Sequence, residues 1–362
     1  MPNLKNIASE MLRSDSNSWS LFPLYLISML YGGIIHLRNR SYDSGLFTVK
    51  KLDKKVIGVG NITVGGTGKT PMVIMLAKFL KDKGYSPAIL SRGYGGKQKK
   101  QVNIISDGEK VYINYQQAGD EPVLIAKSVR DIPVITGKNR YQTGRYAIDH
   151  FGTDILILDD AFQHRALFRD IDIVLLDDEK PFGNGFVIPR GELRETVDAL
   201  RRADIIVRTG IGEQRSGDRE IGIRGHESGP PIFQACRRPV SLIGGEAGDA
   251  SSLDYLYGKK IIAFAGIARP DSFKKTIESV GGEVIVFLSF PDHHVYTQGD
   301  LIKIRKEASQ CSAQVILTTE KDGIKLIDYS DFLRDIYLLR IEMEVSTSRG
   351  EFEDIVLKKL EI

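Results

Sequence analysis

At 362 residues, with 42% hydrophobic and 27% charged side chains, the chain is long enough to bury a large core and too ordinary in composition for a long disordered region. Two cysteines, Cys236 and Cys311, exclude a disulfide framework and show no metal-ligand spacing, so they read as reduced thiols in a cytoplasmic compartment. The net charge of +3 is too small to argue for nucleic acid as a partner.

The first element is apolar. Residues 19–35 carry no charge, and extended to residue 37 as a helix they would cover roughly 28 Å, about the thickness of a bilayer core. Pro23, two serines and two glycines weaken a spanning helix, and no small-residue cleavage site of a signal peptide follows. Three arrangements are open: a spanning helix, a helix in the membrane interface, and an apolar arm packed on the body. Tryptophan and tyrosine suit the interface, and the cations that follow suit anionic headgroups on the cytoplasmic side. Those cations are Arg38, Arg40, Lys50, Lys51, Lys54 and Lys55; set against Asp43 and Asp53 they leave a local excess larger than the charge of the whole chain.

Next comes Ile57-Gly-Val-Gly-Asn-Ile-Thr-Val-Gly-Gly-Thr-Gly-Lys-Thr70, then Pro71 and an apolar periodic stretch at 72–80. That order predicts strand, phosphate loop, helix. Backbone N–H groups bind a polyphosphate, and glycine lets the main chain come close enough. Gly65, Gly66, Thr67 and Gly68 form the cradle, Lys69 reaches the β- and γ-phosphates, and the Thr70 hydroxyl is placed for Mg²⁺. The usual G-x-x-x-x-G-K-[ST] spacing wants glycine where this chain has Thr63, so the loop is a G-G-x-G-K-T variant.

Apolar runs then recur at 87–91, 133–136, 155–158, 171–176 and 205–207, separated by helical patterns. Continuous apolar strands alternating with helices predict a parallel sheet covered on both faces, with ligands at its carboxyl ends. The polar residues there are Arg92-Gly-Tyr-Gly-Gly96 with Lys97, Lys99 and Lys100, then Lys138-Asn139-Arg140, then Asp159-Asp160-Ala-Phe-Gln163-His164. Gly119-Asp120-Glu121-Pro122 precedes a helix at 123–129. A strand ending in acid beside a phosphate loop is a Mg²⁺ arrangement. Asp159-Asp160 and Asp177-Asp178 both qualify, and Gln163 and His164 favour the first. In the long connection at 182–195, Arg190 and Arg194 are candidates for holding an anionic substrate.

Residues 209–230 read as a boundary, dividing a phosphate-loop domain at 38–220 from a smaller α/β domain at 221–362. The smaller unit shows strands at 259–265, 283–288 and 314–318, helices at 271–280 and 297–309, and no phosphate loop. Asp292-His293-His294 follows a strand there. With no third ligand in view, and adjacent histidines facing different sides, it reads as acid/base support rather than a metal site.

Together the loop at 60–71, Arg92-Gly-Tyr-Gly95, Gly119-Asp-Glu-Pro122, Leu158-Asp-Asp160 with Gln163-His164, Phe182-Gly-Asn-Gly185, Leu193-Arg-Glu195, Asp292-His-His294 and Thr319-Glu-Lys-Asp322 resemble the tetraacyldisaccharide 4′-kinases of lipid A biosynthesis, in that family's order. The chain departs at Ala161-Phe162, where the family usually has Gly-Leu, and at Pro189-Arg-Gly-Glu192, which leaves Arg190 outside the pattern. The resemblance implies ATP-dependent phosphorylation of the 4′-hydroxyl of a tetraacylated glucosamine disaccharide 1-phosphate at the cytoplasmic face of the bacterial inner membrane. It implies ATP and Mg²⁺ as cofactors, an acylated lipid and an anionic membrane surface as partners, and no protein or nucleic-acid partner. Residue by residue, Lys69 and Thr70 would serve the phosphates and Mg²⁺, with Asp159, Asp160 and Glu121 on the metal side. Asp120 would take the hydroxyl proton, with His293 orienting it or sharing the proton. Arg92, Arg140, Gln163 and Arg194 would form the rim that holds the substrate. The alternatives from the residues alone are an ATPase or GTPase switch acting on a partner protein, and a kinase of a soluble metabolite.

Overall fold

The computed structural model describes residues 21–97, 100–211, 229–244, 250–346 and 348–360. The start of the apolar segment, Lys99 of the basic loop and nearly all of the expected boundary at 209–230 therefore lie outside the described residues.

Helix α1, Phe22–Asp43, precedes strand β1, Lys55–Asn61, and the phosphate-loop helix α2, Lys69–Asp82. Then come β2 (Pro87–Ser91), β3 (Asn103–Ser106), the short α3 (Tyr115–Ala118), α4 (Asp120–Ser128), β4 (Val134–Thr136), α5 (Arg140–Phe151), β5 (Ile155–Asp159), β6 (Ile171–Asp177) and β7 (Ile205–Ile211). The second half adds β8 (Ile232–Gly244), β9 (Ala250–Ser251), β10 (Lys260–Ala265), α6 (Pro270–Ser279), β11 (Glu283–Ser289), α7 (Gln298–Gln310), β12 (Val315–Thr319), α8 (Glu320–Lys325), α9 (Ser330–Arg334), β13 (Tyr337–Val345) and α10 (Arg349–Leu360). Helix α4 starts at Asp120 rather than at the expected 123, because Gly119 at φ 90° turns the chain just before it.

Among the described residues the strands lie in one sheet, ordered β11-β10-β12-β13-β8-β7-β6-β1-β5-β2-β4-β3, with β9 paired to β8. Strand β1 is central, parallel to β5 with Ile57 opposite Ile157 and parallel to β6 with Ile57 opposite Ile171. Its carboxyl end therefore delivers the phosphate loop between the tips of its neighbours. The smaller second unit continues the same sheet, since β8 pairs parallel with β7 and antiparallel with β13. Pro239, which has no N–H to give, sits at the register shift in the β8–β13 pair.

Both faces are covered. On one, α2, α4 and α10 pack Leu76, Ile125 and Val356 against Ile57, Ile155 and Ile173; on the other, α5 packs Ala147 against Val56, Leu90 and Leu158. Ile57 and Leu76 are fully buried, and each such side chain contributes about 2 kcal/mol.

Helix α1 lies on the body along one face only. Ser28 Oγ donates to Val187 O and accepts from Arg190 N, both at 2.8 Å, and Asn39 Nδ2 donates to Glu195 Oε2 at 2.7 Å. The other face is open: Leu26, Leu30, Ile34 and Leu37 are 47%, 70%, 66% and 66% exposed. Among the described residues no helix is long and apolar enough to cross a membrane.

Candidate active site

The phosphate loop is pinned from several directions. Gly68 caps α2 at φ 87°, and a Cβ there would meet Met343 Cε of β13 at 2.6 Å. Asn61 Nδ2 donates to Thr67 Oγ1 at 3.0 Å, and Thr209 Oγ1 donates to Thr67 O at 2.8 Å. The α2 amino terminus, with first-turn N–H groups lacking helical partners, is an anion site in its own right. Lys69 and Thr70 open that helix, and Pro71 fits its first turn, where a missing N–H costs nothing.

Beside the loop, the tip of β5 presents two carboxylates in unlike surroundings. Asp160 lies 3.4 Å from Lys69 Nζ and accepts from Arg194 Nη1 at 2.9 Å on both oxygens. Burial pushes its carboxyl up, but Lys69 and Arg194 outweigh that and hold it below the usual range. Asp159 is 2% exposed; Ser91 Oγ donates to its Oδ2 at 3.3 Å, while its Oδ1 has no hydrogen-bond partner among the described residues. Burial, with the charges of Glu121 and Asp160, raises this carboxyl well above its ordinary range. The competing pair at β6 is already engaged, Asp177 by Arg269 and Asp178 by Arg208.

Among the described residues no three His, Cys, Asp or Glu side chains form a ready-made metal cage. Mg²⁺ seldom needs one, since one or two carboxylates and substrate phosphates usually hold it. The orphaned, charge-crowded Asp159 carboxyl, with Glu121 and Asp160 around it, fits such a cation.

The most distinctive feature joins the two halves. His293, at φ 59° after β11, places Nδ1 2.9 Å from Asp120 Oδ2 and 3.1 Å from Oδ1, across 173 residues. Lys321 and Lys325 of α8 lie 3.9 and 4.0 Å from Asp120 Oδ2, and Lys321 also reaches Glu121 at 3.1 Å. Burial alone would raise the Asp120 carboxyl, but the His293 hydrogen bond and the two lysines bring it down to about 2. The same hydrogen bond raises His293 above its usual value. His294 turns the other way, to Asp300 at 3.1 Å.

The remaining expected residues divide. Gln163 Nε2 donates to Asn61 O at 2.9 Å beside the loop, and Arg92 stands exposed at the end of β2. Arg140 is instead 3% exposed, donating to Gly137 O at 2.8 Å and to Asp159 O at 3.2 Å, so it braces the acid-bearing strand from inside rather than standing on an open rim. Arg190 is likewise 3% exposed and lies over the Phe186 ring. Lys321, Asp322 and Lys325 of α8 are site residues that the sequence motifs do not single out for a role. Asp322 accepts from Gly266 N and Thr319 Oγ1 and pairs with Lys325 at 2.8 Å, which holds that lysine beside Asp120. The available signal is the lysine pair four apart, one helical turn, directly after a strand that ends in Thr318-Thr319.

Known proteins match this arrangement along nearly the whole chain. The family profile described as tetraacyldisaccharide-1-P 4′-kinase (LpxK) covers residues 19–361. The tetraacyldisaccharide 4′-kinase of Syntrophus aciditrophicus is 49% identical over 357 residues, 96% of this chain and 95% of that one. That of Desulfatibacillum aliphaticivorans is 41% identical over 347 residues, 94% of this chain and 92% of the other. A crystal structure of LpxK from Aquifex aeolicus in complex with ATP superposes with a TM-score of 0.74 at 33% identity, covering 97% of this chain and all of that one. With a phosphate loop, an acid-tipped neighbouring strand and a carboxylate–histidine pair, the chain belongs to the tetraacyldisaccharide-1-P 4′-kinase family.

Proposed function

We propose that the chain transfers the γ-phosphoryl group of ATP to the 4′-hydroxyl of a tetraacylated glucosamine disaccharide 1-phosphate, with the labour divided as follows. Gly65, Gly66, Thr67 and Gly68 cradle the phosphates, and Lys69 balances charge on the β- and γ-groups. The acceptor oxygen forms a bond to the γ-phosphorus as the bond to the β,γ-bridging oxygen breaks, leaving ADP. The hydroxyl proton passes to Asp120, which His293 orients and whose proton it can share. Bound Mg²⁺ would neutralise charge on the phosphates; Thr70, Asp159 and Asp160 would hold it, with Glu121 alongside. Arg194, tied to Asp160, keeps that carboxylate ionised and in place.

What carries this reading is the Asp120–His293 contact: a buried carboxylate kept ionised and paired with an imidazole, in a chain that also carries a phosphate loop, suits a hydroxyl acceptor better than a hydrolytic switch. Positioning and charge neutralisation dominate phosphoryl transfer, so Lys69 should matter at least as much as the base. The open apolar face of α1, with the cations after it, supports contact with an anionic membrane at the cytoplasmic face. The test is ADP production that depends on the acylated disaccharide 1-phosphate. Equal ADP release without acceptor would favour a switch; release only with a water-soluble acceptor would favour a metabolite kinase.

A further inference from the structure

In the sheet order four strands, β12, β13, β8 and β7, lie between β10 and β6. At about 4.8 Å per strand a flat sheet would hold the tips of β10 and β6 roughly 24 Å apart. Yet Arg269, on the turn that leaves β10, pairs through its Nη1 with Asp177 at the tip of β6. The sheet therefore twists until its second half reaches back to the carboxyl edge of the first. This ion pair bridges the cleft and does not follow from strand adjacency.

The turn at 266–269 holds something at each end. At its start, Gly266 N donates to Asp322 Oδ2 at 3.1 Å, and Gly266 O accepts from His293 N at 3.2 Å and from Lys325 Nζ at 3.5 Å. A Cβ on Gly266 would stand 3.1 Å from Pro291 O and 3.2 Å from His294 Cβ, so this backbone and that of the histidine segment are in close contact. Two residues on, Ala268 Cβ comes 3.9 Å from the place a Cβ on Gly66 of the phosphate loop would take. A continuous run of contacts thus leads from Gly66 through Ala268 and Gly266 to His293, and from there to Asp120.

The fastening at Asp177 is built to stay put. Asp177 is 3% exposed, and its Oδ1 accepts from Glu179 N at 3.1 Å and Lys180 N at 2.9 Å, which leaves Oδ2 for Arg269. Burial pushes its carboxyl up, but Arg269, helped by Arg237 of β8, outweighs that and holds it below the usual range. Lys275 of α6 also reaches Glu179 at 3.3 Å, but both side chains are mostly in solvent and that pair adds little.

We propose that Arg269 and Asp177 are positioning residues for phosphoryl transfer: their pair clamps the turn at 266–269 onto the phosphate loop and so sets His293, and through it Asp120, against the nucleotide held there. The assignment rests on the function proposed above and deepens it. Neither residue touches ATP or acceptor in this scheme; what they supply is alignment of the proton acceptor with the reacting phosphate, where small displacements are costly.

The test uses the full chain as wild type, Arg269→Ala, Asp177→Asn, the double variant, and Arg269→Lys, which keeps the charge. With saturating acceptor, each of the first two changes should lower kcat about tenfold to hundredfold and leave KM for ATP within about threefold. The double variant should fall no further than the worse single one by more than about threefold, because one contact is lost in all three. Arg269→Lys should recover kcat to within about fivefold of wild type. A second measurement needs no turnover: histidine-¹⁵N NMR follows the His293 imidazole, assigned by its loss in His293→Asn, as ADP is added. ADP should shift this signal in wild type, and in Arg269→Ala it should bind within about threefold of the same affinity without shifting it. Multiplying losses in the double variant, or a raised KM for ATP with kcat unchanged, would overturn the assignment. So would a His293 signal that ignores ADP in wild type, or one that answers it equally in wild type and Arg269→Ala. If wild type failed to phosphorylate the acylated acceptor, the proposed reaction would fall, while the ADP titration would still decide whether the Arg269–Asp177 pair couples the phosphate loop to His293.

Discussion

Replacing His293 by asparagine isolates the proton-handling half of the site. Asparagine tolerates the φ of 59° found there and is too short to hold Asp120 as the imidazole does. In the wild type, the Asp120 hydrogen bond favours the imidazolium and lifts His293 above 6.5, while that imidazolium helps hold Asp120 near 2. A carboxylate so depressed is a poor base. The pair accepts a proton more readily once the imidazole is neutral, so kcat should rise with pH through the raised His293 value. In His293→Asn nothing titrates at that position and the acidic limb should vanish. Loss of a positioned proton acceptor should lower kcat about a hundredfold to a thousandfold, roughly 3 to 4 kcal/mol of barrier. KM for ATP should stay nearly constant, because His293 contacts Asp120 and not Lys69. Steady-state ADP release from pH 5 to 9 with saturating acceptor measures all three. A loss in kcat below about threefold, or an unchanged acidic limb, would refute the reasoning.

Lys69→Ala should abolish ATP binding by calorimetry while the circular dichroism spectrum stays native, since the lysine is only partly buried at the helix start. Gly68→Ala should destabilise the fold by about 1–3 kcal/mol in urea titration, because the residue sits at φ 87° with Met343 Cε 2.6 Å from a new Cβ. Mg²⁺ should raise the thermal midpoint of the wild type, and Asp159→Asn, which removes the crowded carboxyl, should lose that response. Leu30→Ser/Ile34→Ser, on the open face of α1, should cut sedimentation with anionic vesicles at least about tenfold without lowering the melting temperature.

What could be read from sequence follows from how local each signal is. The phosphate loop is a contiguous code of glycines, lysine and threonine, and the strands around it are short apolar runs ending in charge, so both were legible before any coordinates. The acid at the end of β5 was legible for the same reason. The Asp120–His293 contact joins positions 173 residues apart, and only the resemblance paired them. Arg140 and Arg190 show a different limit: an arginine near a strand tip reads as rim whether its fork meets solvent or turns inward to carbonyls and a ring, and here both turn inward. The apolar start of the chain left three arrangements open because hydropathy does not record Ser28 and Asn39 anchoring one face of the helix.

The central claim is that the group leaving ATP at Lys69 arrives on a sugar hydroxyl beside Asp120. The most direct measurement follows label from [γ-³²P]ATP into tetraacyl disaccharide 1-phosphate in wild type, Lys69→Ala and Asp120→Ala, with the labelled carbon assigned by NMR. The account predicts label at the 4′ position with wild type, and almost none with either variant. Label appearing only as inorganic phosphate, or at another carbon of the lipid, would contradict it.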